Sequence, residues 1–154
     1  MGCHTWYRKP LVKGKENVQK HLRDEINNQR KKDWWDEECE NEVEMRLYAI
    51  ENLDEKMNEE LFEYVNIEGR IHFIKGEPVI FVSYENDTDE PRIGGYPDTI
   101  ITSADEMFKA MEKGLVGWKG SLFNFHIEED RKGHIKKHII TFFEKYPDGI
   151  IEFG

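Results

Sequence analysis

The chain has 154 residues, of which 38% are hydrophobic and 35% charged, and its formal net charge is −10. That length suits one domain with a core of its own, and two cysteines exclude a disulfide framework. The acidic balance argues against nucleic-acid binding through the overall field, and no apolar run approaches the roughly 18 residues of a membrane-spanning helix.

The charge is unevenly spread. Residues 1–32 hold nine Lys and Arg against three Asp and Glu; residues 33–90 hold four against nineteen; residues 91–154 hold nine against ten. The basic start and the acidic middle either face each other or form two separate partner surfaces. Nine Phe, six Tyr and four Trp supply large apolar areas for a small core inside a charged shell.

In chain order, Cys3 to Tyr7 reads as a short strand, closed by Pro10 and Gly14. A helix follows over residues 15–32, where Val18, Leu22 and Ile26 make a narrow stripe. Asp33 is the expected N-cap of the next helix, with Trp35, Cys39, Val43, Leu47 and Ile50 on one face. A third helix is expected from Asp54 to about Tyr64, with Met57, Leu61, Phe62 and Val65 inward.

The period then changes. Arg70–Ile74 and Pro78–Tyr84 read as a β-hairpin about Lys75-Gly76-Glu77. Residues 85–91 read as an acidic loop. A strand over Asp98–Thr102 leads into Ser103-Ala104-Asp105-Glu106, which fits a capping box. That helix carries Met107, Phe108 and Met111 inward and stops at Gly114. Residues 122–127 read as a strand, residues 131–146 as a helix with Ile135, Ile139, Phe142 and Phe143 inward, and residues 150–153 as a last strand. Tyr-Pro-Asp-X-Ile-Ile occurs at 96–101 and again at 146–151, a local turn-to-strand solution used twice.

Two sets of residues carry candidate chemistry. Cys3 and His4 lie near the start, and His134 and His138 share a face of the last helix; together they would form an open zinc site suited to hydrolysis. The His-Glu-X-X-His motif is absent, because position 135 is Ile, and Lys136 and Lys137 oppose a cation. If Cys3 to Tyr7 is a strand, Cys3 and His4 face opposite sides, so at most one of them joins the set. The second set is the acidic helix, with Glu37, Glu38 and Glu44 beside Trp34, a docking surface for a basic partner. Arg92 and Tyr96, beside the Gly94-Gly95 bend, are candidate pocket-lining residues in the same partner-binding set.

The start Met1-Gly2-Cys3-His4-Thr5-Trp6, the stretch from Arg92 to Asp98 and the ending from Tyr146 to Gly154 resemble small uncharacterised proteins of bacteriophages and gut bacteria. The resemblance implies a phage or prophage origin, the cytoplasm of a bacterial host, and a host or phage protein as partner. It implies no catalytic residue.

The expectation is an α+β fold over residues 1–154 as a single domain. A small antiparallel or mixed sheet, built from the segments at Cys3, Ile71, Val79, Ile100, Phe123 and Ile150, is packed by four to five helices. The expected function is that of a phage-type accessory protein acting by protein binding through its acidic surface. The alternative is a small zinc-type hydrolase.

Overall fold

A computed structural model describes residues 5–65, 69–84, 99–112 and 129–153, with 129–132 described in backbone only. The elements are β1 (Thr5–Lys13), α1 (Lys15–Gln29), α2 (Glu37–Asn41), α3 (Val43–Glu51), α4 (Glu59–Phe62), β2 (Arg70–Ile74), β3 (Glu77–Ser83), β4 (Ile100–Ile101), α5 (Ala104–Glu112), α6 (Glu129–Lys145) and β5 (Ile150–Phe153). The fold is α+β, as expected. The strands hydrogen-bond in the order β2-β3-β1-β5-β4. The strand expected at 122–127, the Gly114 stop, the acidic loop at 85–91 and the first Tyr-Pro-Asp repeat at 96–98 lie outside the described residues.

The chain divides into two compact units, one of Met1–Pro10 with Ser83–Gly154, the other of Leu11–Val82. In the first, β5 pairs antiparallel with β1 and with β4, placing Tyr7 opposite Ile151 and Trp6 opposite Glu152. Side chains alternate across a strand. Tyr7, Ile101, Ile151 and Phe153 therefore share one face, and α5 and α6 close over it with Met107, Ile135, Ile139 and Phe142. Trp6, Arg8, Ile150 and Glu152 take the other face. All four residues of β5 are buried, Glu152 included. Arg8 answers that charge: its Nε donates to Glu152 Oε2 at 2.6 Å, and its guanidinium stacks over Trp6 at 5.5 Å. A buried carboxylate without such a partner would be strongly unfavourable.

Three local expectations in this unit are corrected. β1 does not stop at Pro10. Pairing with β5 ends at Arg8↔Ile150, so no bond to β5 is asked of the missing proline N–H. Of the strand expected over Asp98–Thr102, Asp98 lies outside the described residues, and among Thr99–Thr102 the strand β4 is Ile100–Ile101. The capping box forms with one change. Ser103 Oγ accepts from the Glu106 N–H at 3.1 Å, but the Glu106 carboxylate reaches Thr102, accepting from its N–H and its hydroxyl.

In the second unit, β2 and β3 form the expected antiparallel hairpin, from Arg70↔Phe81 to Ile74↔Glu77. Lys75 and Gly76 both have positive φ, 53° and 83°, which suits a two-residue turn matched to strand twist. Val18, Leu22 and Ile26 of α1 pack with Val43, Ile50, Leu53 and Ile80. The N-cap after α1 is Asp36, not Asp33: its carboxylate accepts from the Cys39 N–H at 2.9 Å. The helix expected from Asp54 is only α4, capped by Asn58. Asp54 instead accepts from the Lys56 N–H, a local bond that competes with helix initiation.

Candidate functional site

The second unit brings together the acidic residues singled out in the sequence. α1 and α3 pack side by side, and α1 binds the neighbouring helix through polar side chains. Gln19 Nε2 donates to the Ile50 carbonyl at 2.9 Å, satisfying an acceptor left open at the end of α3. Arg23 Nη1 meets Glu51 Oε1 at 2.6 Å. Arg30, just past α1, donates to both carboxylate oxygens of Glu40, with Nε to Oε2 at 3.1 Å. The Trp35 indole N–H joins the same carboxylate at 2.8 Å. Those donors, Arg30 first and Trp35 second, hold the Glu40 carboxyl below its ordinary value. The Cys39 N–H does the same for Asp36.

Part of the basic start thus neutralises part of the acidic middle. Glu51 is taken by Arg23 of α1 and Glu40 by Arg30 just past it, and Glu42 lies 3.5 Å from Arg46. Glu37, Glu38 and Glu44 are left exposed, and among the described residues none of the three has an ion pair. Glu42 keeps right-handed helical dihedrals between α2 and α3, so positions 37, 41, 44, 45 and 48 follow one helical face. That face is Glu37, Asn41, Glu44, Met45 and Tyr48, with Glu38 at its edge. Met45 is 43% exposed, Tyr48 56%, and Trp34, on the approach to α2, 59%. The Trp34 ring lies 5.8 Å from that of Trp35, which is half-buried and held by Glu40. Trp34 therefore stands on a fixed base while presenting its own ring to solvent.

Met45 and Tyr48 were missed in the sequence. Both lie off the Trp35-Cys39-Val43-Leu47-Ile50 stripe, and apolar residues three apart on a polar face were the available signal. An open groove in the same unit was also missed. It measures about 410 Å³ and is lined by Leu11, Val12 and Lys13 from β1 and by Asn17, Lys20, His21 and Asp24 from α1.

The other expected ligands do not converge among the described residues. His134 and His138 stand one turn apart on α6. His134 is exposed, while His138 is half-buried with its ring 5.2 Å from Tyr7 in an edge-to-face contact. Cys3, His4, Arg92 and Tyr96 lie outside the described residues. Zinc takes at least three protein ligands. Among the described residues no group of three or more His, Cys, Asp or Glu is arranged to hold a metal ion. Among those residues, too, no helix is long and apolar enough to cross a membrane.

Comparison with family models, curated proteins and solved structures gave no match. The functional reading therefore rests on the acidic face itself.

Proposed function

We propose that the protein is a phage-type accessory protein that acts by binding another protein through the outer face of α2 and α3. Its partner would be a host or phage protein presenting Lys or Arg beside an apolar anchor. The observation that carries this is the exposure of Trp34, Met45 and Tyr48 alongside Glu37, Glu38 and Glu44. Trp and Tyr are enriched at binding hot spots, and exposed carboxylates without an ion pair among the described residues would steer a basic partner and select its register.

The separation between paired and unpaired carboxylates supports the assignment. Glu40 and Glu51 help hold α1 against its neighbours, so losing them would loosen the unit. Among the described residues Glu37, Glu38 and Glu44 have no ion pair to lose, so in this reading their charge serves a partner.

The test compares the native chain with a Glu37→Lys/Glu38→Lys/Glu44→Lys variant and a Trp34→Ala variant as baits in extracts of a bacterial host. Proteins retained by the native chain are then purified and titrated against each bait at low and high salt. The reading requires a retained protein whose affinity falls with both variants while circular dichroism of the baits is unchanged. Equal retention and equal salt dependence for all three baits would refute it.

A further inference from the structure

The corner between α1 and α2 carries Trp34, and one carboxylate ties both of its ends. Residues 32–35 make a turn closed by the Trp35 N–H, which donates to the Lys32 carbonyl at 3.1 Å, and Trp34 is the third residue of that turn. Arg30 precedes the turn and Trp35 ends it. Both reach Glu40 of α2: Arg30 donates Nη2 to Oε1 and Nε to Oε2, the latter at 3.1 Å, and the Trp35 indole N–H donates to Oε2 at 2.8 Å. The planar guanidinium fork fixes the plane of the carboxylate and leaves the second lone pair of Oε2 for the indole. Trp35 is packed against the core of the unit, and the Trp34 ring meets the Trp35 ring at 5.8 Å and 53°.

We propose that Glu40 is a positioning residue: acting through Trp35, it fixes Trp34 in the free protein, before a partner arrives. The Arg30 and Glu40 side chains are 40% and 46% exposed, and ion pairs that exposed add little to stability. Their contribution here is geometric. Donors from both ends of the corner meet on a single carboxylate, and an exposed ring rests on the residue so held. A ring ordered in advance loses less freedom on binding, so its contact favours affinity more. The inference rests on reading Trp34 as an anchor of the acidic face, and it adds a residue that need not touch the partner. Because Arg30 neutralises Glu40, the clamp acts on the order of Trp34 and not on the charge of the face.

The test is NMR relaxation of the tryptophan indole N–H groups in the full chain. In the native chain the Trp34 indole should be as ordered as rigid backbone, with an order parameter of about 0.85, and in Arg30→Ala/Glu40→Ala it should fall below about 0.6. That double replacement removes one charge of each sign and leaves the net charge at −10. Trp35→Phe keeps a ring beside Trp34 and removes the N–H; it should lower the order of Trp34 by less, and it carries the test if the double replacement unfolds α2. Arg23→Ala/Glu51→Ala removes a comparably exposed ion pair of the same unit and should leave Trp34 unchanged. A Trp34 indole that is already mobile in the native chain, that stays ordered without the clamp, or that is loosened equally by the Arg23→Ala/Glu51→Ala control overturns the proposal.

The same variants separate this proposal from the docking reading. Against a protein that the native chain retains from host extract, Arg30→Ala/Glu40→Ala should bind about two- to tenfold more weakly, as expected when one side chain must be ordered on binding, with an unchanged salt dependence. Glu37→Lys/Glu38→Lys/Glu44→Lys should change the salt dependence itself. If Trp34→Ala binds as the native chain does while loss of the clamp loosens Trp34, Trp34 leaves the docking surface and the positioning role of Glu40 stands. If Trp34→Ala loses affinity while Trp34 is equally ordered with and without the clamp, the positioning role falls and the docking surface stands.

Discussion

Breaking the Arg8–Glu152 pair from either side should destabilise the protein far more than removing both charges together. Both side chains are 9% exposed, and Arg8 Nε lies 2.6 Å from Glu152 Oε2. At an effective dielectric of about 20 and about 4 Å between charge centres, the attraction is about 4 kcal/mol. Arg8→Met removes it and leaves a carboxylate in β5 between Ile151 and Phe153; Glu152→Leu leaves the guanidinium. Each single change should cost about 3–5 kcal/mol, whereas the Arg8→Met/Glu152→Leu double replacement should come out near neutral. For a chain of this size each kcal/mol moves Tm by about 2–4 °C, so the single variants should melt roughly 6–20 °C below the native chain. The assay is a double-mutant cycle by urea denaturation, checked by calorimetry. Additive single effects, with a coupling below about 0.5 kcal/mol, would refute the assignment of the pair as the charge balance of this sheet face.

Gly149 has no room for a side chain: an added Cβ would lie 2.8 Å from Phe142 Cζ, 3.0 Å from the Tyr146 carbonyl oxygen and 3.1 Å from that of Arg8. Gly149→Ala should therefore lose about 1–3 kcal/mol in urea melts. Lys75 adopts φ 53° beside Gly76 in the hairpin turn, and Lys75→Asn should raise Tm, because Asn tolerates that conformation better. The Glu40 carboxyl, held low by Arg30 and Trp35, binds fewer protons in the folded than in the unfolded chain. Its contribution to stability is thus present above its ordinary value of 4.5 and is lost as pH falls through the lower folded value. The Trp35 indole N–H resonance should shift at a pH below 4.5 in the native chain, and its midpoint should move up in Arg30→Met.

Elements with a strong local period were legible. The β2–β3 hairpin followed from two β-rich runs around Lys75-Gly76, and α1 from the Val18-Leu22-Ile26 stripe, because local geometry and burial agreed there. Pro10 misled, because its effect on a strand depends on whether a neighbour needs its N–H, and the chain order does not say where pairing with β5 ends. Asp33 and Asp36 are both good N-caps by type. In the structure the cap is Asp36, whose carboxylate accepts from the Cys39 N–H. Alternation along residues 150–153 puts Glu152 on the face opposite Ile151 and Phe153. The burial of Glu152 depends on Arg8, 144 residues away, and no pattern within either segment marks the two as partners.

The acidic helix shows the same division between local and long-range information. Its charge was evident from composition, but which carboxylates are available to a partner was not. That depends on where α1 lies. Arg23 on α1 and Arg30 just past its end, seven residues on, meet Glu51 of α3 and Glu40 of α2. The carboxylates on the far side, Glu37 and Glu44, share their face with Met45 and Tyr48, which the core stripe excludes by helical spacing. The inner charges are thus neutralised by the neighbouring helix, and the outer ones accompany exposed apolar groups. A purely solvated acidic helix would need neither the exposed Tyr48 nor a Trp34 set against a ring fixed by Glu40.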